Sequence, residues 1–242
     1  MKIAMWSGPR NLSTAMMYSF GNRADMTCID EPFYGPYLRL TKLQHPMAGE
    51  IKISRPQSAI EVEQSLLQPD PQHSYHKHMC QHMIDGIPRD FMADCVNVFL
   101  IRHPARVVAS FIKGYPQATA EDIGFAAQAE LYDHVCGLGQ TPVVIDSADI
   151  RDNPEGMLRQ LCAALDLPFD DAMLNWPAGP KPYDGVWAPH WYASVHASTG
   201  FAGPEGPLPE LTGRALDLAF EAMPHYEKMA ARKISPEAAP AS

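Results

Sequence analysis

Met1-Lys2-Ile3-Ala4-Met5-Trp6-Ser7-Gly8-Pro9-Arg10-Asn11-Leu12-Ser13-Thr14 runs from a short apolar stretch into a Ser-Gly-Pro-Arg turn. The turn passes through two hydroxyl residues into an amphipathic pattern with Leu12, Ala15, Met16, Ser19 and Phe20 on one face. That order spells strand, tight loop, helix. Such a loop aims free backbone N–H groups and the positive end of a helix dipole at an anion. Arg10, Ser13 and Thr14 add side-chain donors suited to phosphate or sulfate oxygens. A nucleoside-triphosphatase loop needs G-x-x-x-x-G-K-[ST]. Counted from Gly8, its second glycine falls at Ser13 and its lysine at Thr14, so that pattern fails. The loop Gly8-Pro9-Arg10-Asn11-Leu12-Ser13-Thr14 binds phosphate in style without being a Walker loop in detail.

A second segment points to a class of ligand. Asn97-Val98-Phe99-Leu100-Ile101 is a buried-strand run, followed by Arg102-His103-Pro104-Ala105-Arg106-Val107-Val108-Ala109-Ser110-Phe111. Pro104 suits the first turn of a helix, which puts Ser110 about two turns beyond Arg102. Open parallel sheets bind ligands at the carboxyl ends of their strands, and Arg10 and Arg102 both leave strands at that end.

Here the chain resembles the P-loop sulfotransferases. Ser7 to Thr14 is similar to their 5′-phosphosulfate loop. Arg102 with Ser110, inside I-R-H-P-A-R-V-V-A-S-F, resembles their 3′-phosphate motif. Val143-Val144-Ile145-Asp146 leading to Asn153-Pro154 and on to Leu165-Asp166-Leu167-Pro168 is similar to a late strand, loop and P-x-x-x-L-x-x-L-x-x-x-L-x-L-P helix of carbohydrate-type members. The chain departs from the family in two places: arginine stands where many cytosolic members carry lysine, and the late acidic signature is reduced to Asp146-Ser147-Ala148-Asp149.

The resemblance implies a sulfuryl transfer from 3′-phosphoadenosine 5′-phosphosulfate (PAPS) to a hydroxyl or amine of a small-molecule acceptor, with no metal. By it, Gly8 to Thr14 hold the 5′-phosphosulfate and Arg102 and Ser110 read the 3′-phosphate. Lys181, in Lys181-Pro182-Tyr183-Asp184-Gly185-Val186-Trp187, belongs to a late loop covering that phosphate. Glu31 of Asp30-Glu31-Pro32 matches the base that deprotonates the acceptor, which a hydroxyl attacking sulfur needs. In His76-Lys77-His78, Lys77 matches the cation at the leaving phosphate. The family's histidine would fall at Met79, so the base stays open between Glu31 and a histidine, His78 being the candidate. His76 and His78 point to the strand face opposite Lys77. Two other functions stay open on the same residues: a P-loop nucleotide phosphotransferase or hydrolase, and a non-catalytic nucleotide-binding homologue.

The rest of the sequence is consistent with an intracellular α/β enzyme. Strands are predicted near 2–6, 26–29, 74–77, 96–101 and 142–146. Helices are predicted near 12–22, 33–44, 57–67, 87–94, 104–113, 120–138, 154–166 and 209–231. Strands alternating with helices call for a parallel sheet with right-handed crossovers, and the resemblance implies a three-layer P-loop fold with a central parallel β-sheet flanked by helices. The 242 residues read as a single sulfotransferase-like domain over 1–234 with a flexible tail over 235–242. A formal charge of −9 argues against nucleic acid polymers and anionic membranes as partners. The chain opens straight into a strand with no signal segment or membrane-length apolar run, so a cytoplasmic location is expected. Five scattered cysteines without a C-x-x-C pair fit reduced thiols. His73, His76, His78 and His82 lack clean metal-ligand spacing.

Overall fold

The structure, a computed structural model, describes residues 1–236; residues 237–242, most of the expected tail, lie outside the described residues. β1 (Lys2–Ser7), β2 (Met26–Asp30), β3 (His73–Met79), β4 (Val96–Ile101) and β5 (Val143–Asp146) form one five-stranded sheet in the order β2-β3-β1-β4-β5. Every pairing is parallel. Parallel strands are covered on both faces and so read as continuous apolar runs; Ile3, Ala4, Met5 and Trp6 are all fully buried. Ile3, Met5, Val98 and Leu100 pack on one side with Met16 and Leu161, from the helices Ser13–Gly21 and Pro154–Ala164. Ala4, Trp6, Phe99 and Ile101 pack on the other with Leu131 and Val135 of the helix Phe125–Gly137. This is the central parallel sheet with flanking helices that the alternation required.

The departures from the predicted elements have local causes. The helix expected over 120–138 is two, Ala120–Ile123 and Phe125–Gly137, because Gly124 takes φ 71° at the join. The left-handed region is open to glycine at no steric cost. This break presents the Ile123 carbonyl to the first loop, where a Cβ added to Gly8 would lie 2.7 Å from its oxygen. Glycine at position 8 is therefore set by a close backbone approach. The helix expected over 33–44 ends at Thr41, where Lys42 turns left-handed with φ 59°. The stretch 87–94 forms only a 3₁₀ turn, Asp90–Asp94. The helices Ala48–Ser54 and Ser147–Asp152 were not expected; Asp146 caps the second by accepting the Ala148 N–H at 2.9 Å. Among the described residues, no helix is long and apolar enough to cross a membrane.

Three buried histidines make the fold acid-sensitive. His76 and His78 sit in register with Ala4 and Trp6, and the His78 ring stacks on Trp6 at 4.3 Å. Burial pushes His76 down to about 4, and His78 and His82 well below the ordinary imidazole value. All three are neutral when folded, whereas the unfolded chain takes up their protons near pH 6.5. The unfolded state binds more protons, so stability is complete above that pH and falls as the pH drops below it. The three together should remove about 3 kcal/mol between pH 6.5 and 5.5. Urea midpoints measured at the two pH values check this, and equal midpoints would refute it.

Candidate active site

The strand order reverses beside β1: its connection runs toward β2, that of β4 toward β5, and a crevice opens between the two loops. A cavity of about 350 Å³ lies in this region. Pro9, Arg10, Asn11, Leu12, Ser13 and Thr14 all line it, with Gly8 packed behind them against Ile123. Asn11 is buried, and its Nδ2 donates to the Leu100 carbonyl at 3.2 Å, pinning the loop to β4. Arg10 and Leu12 carry φ of 61° and 71°, and Glu31 carries 42° across the cavity. Non-glycine residues in that region cost on the order of 1–3 kcal/mol each and gather at functional sites. The first turn of the helix Ser13–Gly21 has no acidic residue, so nothing on the helix offsets the positive end of its dipole.

Arg102 and Ser110 both line the cavity and are joined through Arg10. Arg102 Nη1 donates to the Arg10 carbonyl at 2.6 Å, and Arg10 Nε donates to Ser110 Oγ at 2.8 Å. Burial and the neighbouring Arg102 charge push the Arg10 guanidinium down from its ordinary value, as expected of two cations crowded where an anion would sit. Through Nη2 Arg102 pairs with Glu205, which also holds Arg106 and Arg151.

The opposite wall is a buried charged cluster. Glu31 N continues the ladder from β2 by bonding the Lys77 carbonyl at 2.9 Å, which brings the two side chains together. Lys77 Nζ donates to Glu31 Oε1 at 2.5 Å, Asp30 Oδ1 at 2.9 Å and Tyr192 Oη at 2.8 Å. Burial pulls the Lys77 ammonium down, but the carboxylates of Asp30 and Glu31 outweigh it and hold it above its ordinary value. It is a fixed cation. Tyr192 Oη donates to Asp30 and accepts from Trp187 Nε1 at 3.0 Å. The Gly185 N–H reaches Asp30 Oδ2 at 3.0 Å, and a Cβ on Gly185 would strike the Trp187 ring at 2.2 Å. The Gly-x-Trp element thus supports the carboxylates from behind. His82 Nε2 lies 4.0 Å from Glu31 Oε2, its ring stacked on Tyr34 at 4.6 Å and Tyr37 at 4.7 Å.

Two candidates from the sequence fall elsewhere. His78 is not among the cavity's lining residues; it stacks on Trp6 across the sheet from Lys77, as strand alternation demands. Lys181 is also outside the cavity, because its ammonium bonds the Pro177 carbonyl and lies 5.1 Å over the Tyr18 ring. Sequence reasoning missed Asp30 as the second partner of Lys77, His82 as the histidine facing Glu31, and the Arg151–Glu205 pair. For Asp30 a signal existed in its position directly before Glu31 at a strand end. Among the described residues, no group of three or more His, Cys, Asp or Glu is placed to hold a metal ion.

The sheet order and the layering define an α/β fold with a central parallel sheet, and the loop after β1 is strained. A family described as "Sulfotransferase domain" matches residues 1–233, and the chain belongs to that family. It is 38% identical over 205 residues to "Branched-chain-amino-acid aminotransferase-like protein 1" of Arabidopsis thaliana, covering 84% of this chain and 37% of that protein. It is 34% identical over 226 residues to "Branched-chain-amino-acid aminotransferase-like protein 2" of the same plant, covering 93% of this chain and 40% of that one. The chain thus spans about two-fifths of the length of these relatives. Among solved structures, a sulfotransferase from Alicyclobacillus acidocaldarius superposes with a TM-score of 0.51 at 13% identity, over 95% of this chain and 92% of that one.

Proposed function

We propose that the chain is a sulfotransferase moving a sulfuryl group from PAPS to a hydroxyl or amine of a small molecule. The observation that carries this reading is the convergence of Glu31, Lys77 and the Pro9–Thr14 loop on one cavity walled by Arg102 and Ser110. The donor fits the groups present: Arg10 and Arg102 crowd their charges together at the cavity, the Arg102 Nε–H is shielded from solvent without a hydrogen-bond partner, and Gly8 lets the loop pack close. That donor supplies the sulfuryl group and a phosphate leaving group; the remaining work falls to the protein. Loop N–H groups and Arg10 hold the 5′-phosphosulfate, and Arg102 with Ser110 reads the 3′-phosphate. Lys77 offsets charge growing on the departing phosphate oxygen, where a preorganised cation is most effective. Glu31 takes the acceptor proton. Asp30 and Tyr192 fix Lys77 in place. In this reading fixed cations do the work of magnesium, and Tyr34, Tyr37, Tyr115 and Trp191 wall the acceptor's space.

One observation favours a non-catalytic nucleotide binder instead: Lys77 already has three partners, so it must exchange one to meet a leaving oxygen. Turnover separates the two.

A melting-point titration with 3′-phosphoadenosine 5′-phosphate, magnesium-ATP and 5′-AMP tests the donor assignment. A ligand that binds only the native state raises its melting point by mass action. The bisphosphate is expected to stabilise the wild type well beyond 5′-AMP, and Arg102→Ala should lose about 1.5–3 kcal/mol of that binding. Preference for magnesium-ATP, or no response, would overturn the reading.

A further inference from the structure

The strongest unassigned feature is the surroundings of Glu205, and its meaning rests on the reading of Arg102 as a 3′-phosphate contact. Glu205 lies in the strap Gly203-Pro204-Glu205-Gly206-Pro207, yet its side chain is only 3% exposed. Three guanidinium groups from three different elements converge on this one carboxylate. Arg102 leaves the end of β4 and hydrogen-bonds Oε1. Arg106, in the helix Pro104–Phe111, places Nε 2.8 Å from Oε2. Arg151, in the helix Ser147–Asp152 after β5, places Nη1 3.0 Å from Oε1. The same arginines bind the strap's backbone: Arg106 donates to the Gly206 carbonyl, and Arg151 Nε to the Gly203 carbonyl at 2.8 Å. Arg102 lines the cavity; Arg106 and Arg151 do not.

The charges are unequal. Three guanidinium groups face one carboxylate, leaving an excess of positive charge, whereas a terminal phosphate monoester carries about −1.5 to −2 at pH 7 and three acceptor oxygens. The seat is therefore better matched to a phosphate dianion than to the monoanion it holds. A tethered carboxylate acts at a high effective concentration, so a free monoanion of equal charge gains nothing by displacing it. A dianion gains a second unit of charge and the unused Arg102 Nε–H.

We infer that Glu205 is a built-in occupant of the phosphate seat, that Arg151 is the seat's third arginine, and that Glu205 must leave before a terminal phosphate monoester can bind. The strap then selects nucleotides with a dianionic terminal phosphate over ligands ending in a carboxylate or sulfate ester. Apparent affinity falls by the fraction of molecules with the seat open, so neutralising the occupant must tighten binding.

Calorimetric titration with 3′-phosphoadenosine 5′-phosphate and with 5′-AMP tests this on wild type, Glu205→Gln, and Glu205→Gln with Arg151→Gln. Glu205→Gln should bind the bisphosphate about tenfold more tightly than wild type, with 5′-AMP unchanged. Adding Arg151→Gln should give back about tenfold. Equal or weaker bisphosphate binding by Glu205→Gln, with wild type still binding, would make Glu205 a structural pin and leave the Arg102 reading standing. Bisphosphate binding by neither protein would overturn both. Wild type alone provides a second test should the variant fold poorly. A glutamate-specific protease should cut after Glu205 faster when the bisphosphate is present, and an unchanged or slower rate at that bond would contradict displacement.

Discussion

K77M should cut sulfuryl transfer by about 10²–10³ and also unfold far more easily than wild type. The Lys77 and Asp30 side chains are 1% and 0% exposed, so removing the ammonium leaves a buried carboxylate without its counter-charge. Breaking a buried ion pair in that way costs about 3–5 kcal/mol, readable as a fall in the urea midpoint. Loss of a preorganised cation at a departing oxygen costs about 10²–10³ in turnover. The two losses have different origins and a double variant separates them. K77M with Asp30→Asn should recover part of the stability, because the fully buried carboxylate is gone and only Glu31 at the cavity wall has lost its counter-charge, and none of the turnover. Turnover returning with stability would show that Lys77 serves the fold alone.

Glu31→Gln should lower transfer by about 10²–10⁴, the usual contribution of a general base, with bisphosphate binding kept. Lys77 retains Asp30 and Tyr192 as partners in that variant, so its position survives. The competing base is His82, 4.0 Å from Glu31 Oε2 and held neutral by burial. Burial disfavours the imidazolium that taking the acceptor's proton would leave there. His82→Asn should therefore cost much less than Glu31→Gln. A loss as large as that of Glu31→Gln would move the role of base to the histidine.

Local signals account for most of what the sequence disclosed. The Met1–Thr14 order carried β1, its loop and the following helix, and the run 97–101 placed Arg102 at a strand end. Glu31, Lys77, Arg102 and Ser110 are far apart in the chain, yet all four line the cavity, because parallel strands deliver their carboxyl ends to one edge. His78 fell away for a reason already present in the two-residue strand period: a residue next to Lys77 faces the other way. His82, beyond the strand in the turn Cys80–His82, escapes that constraint. What was not legible depends on long-range contacts. Lys181 stops at Pro177 and Tyr18, Tyr192 reaches back to Asp30, and Glu205 meets Arg102 across about half the chain. No spacing in a single sequence encodes such pairings. The split at Gly124 is the middle case. The sequence over 120–138 reads as one helix, and Gly124, left-handed at φ 71°, sets where it breaks.

The most direct measurement is transfer itself: wild-type protein incubated with sulfur-35-labelled PAPS and a mixture of small hydroxyl and amine compounds, with a metal chelator present. Label appearing in an acceptor, retained with chelator and lost in Glu31→Gln, is the expected result. Label that stays in the donor while the bisphosphate still binds would contradict catalysis and make the chain a nucleotide-binding member of its family.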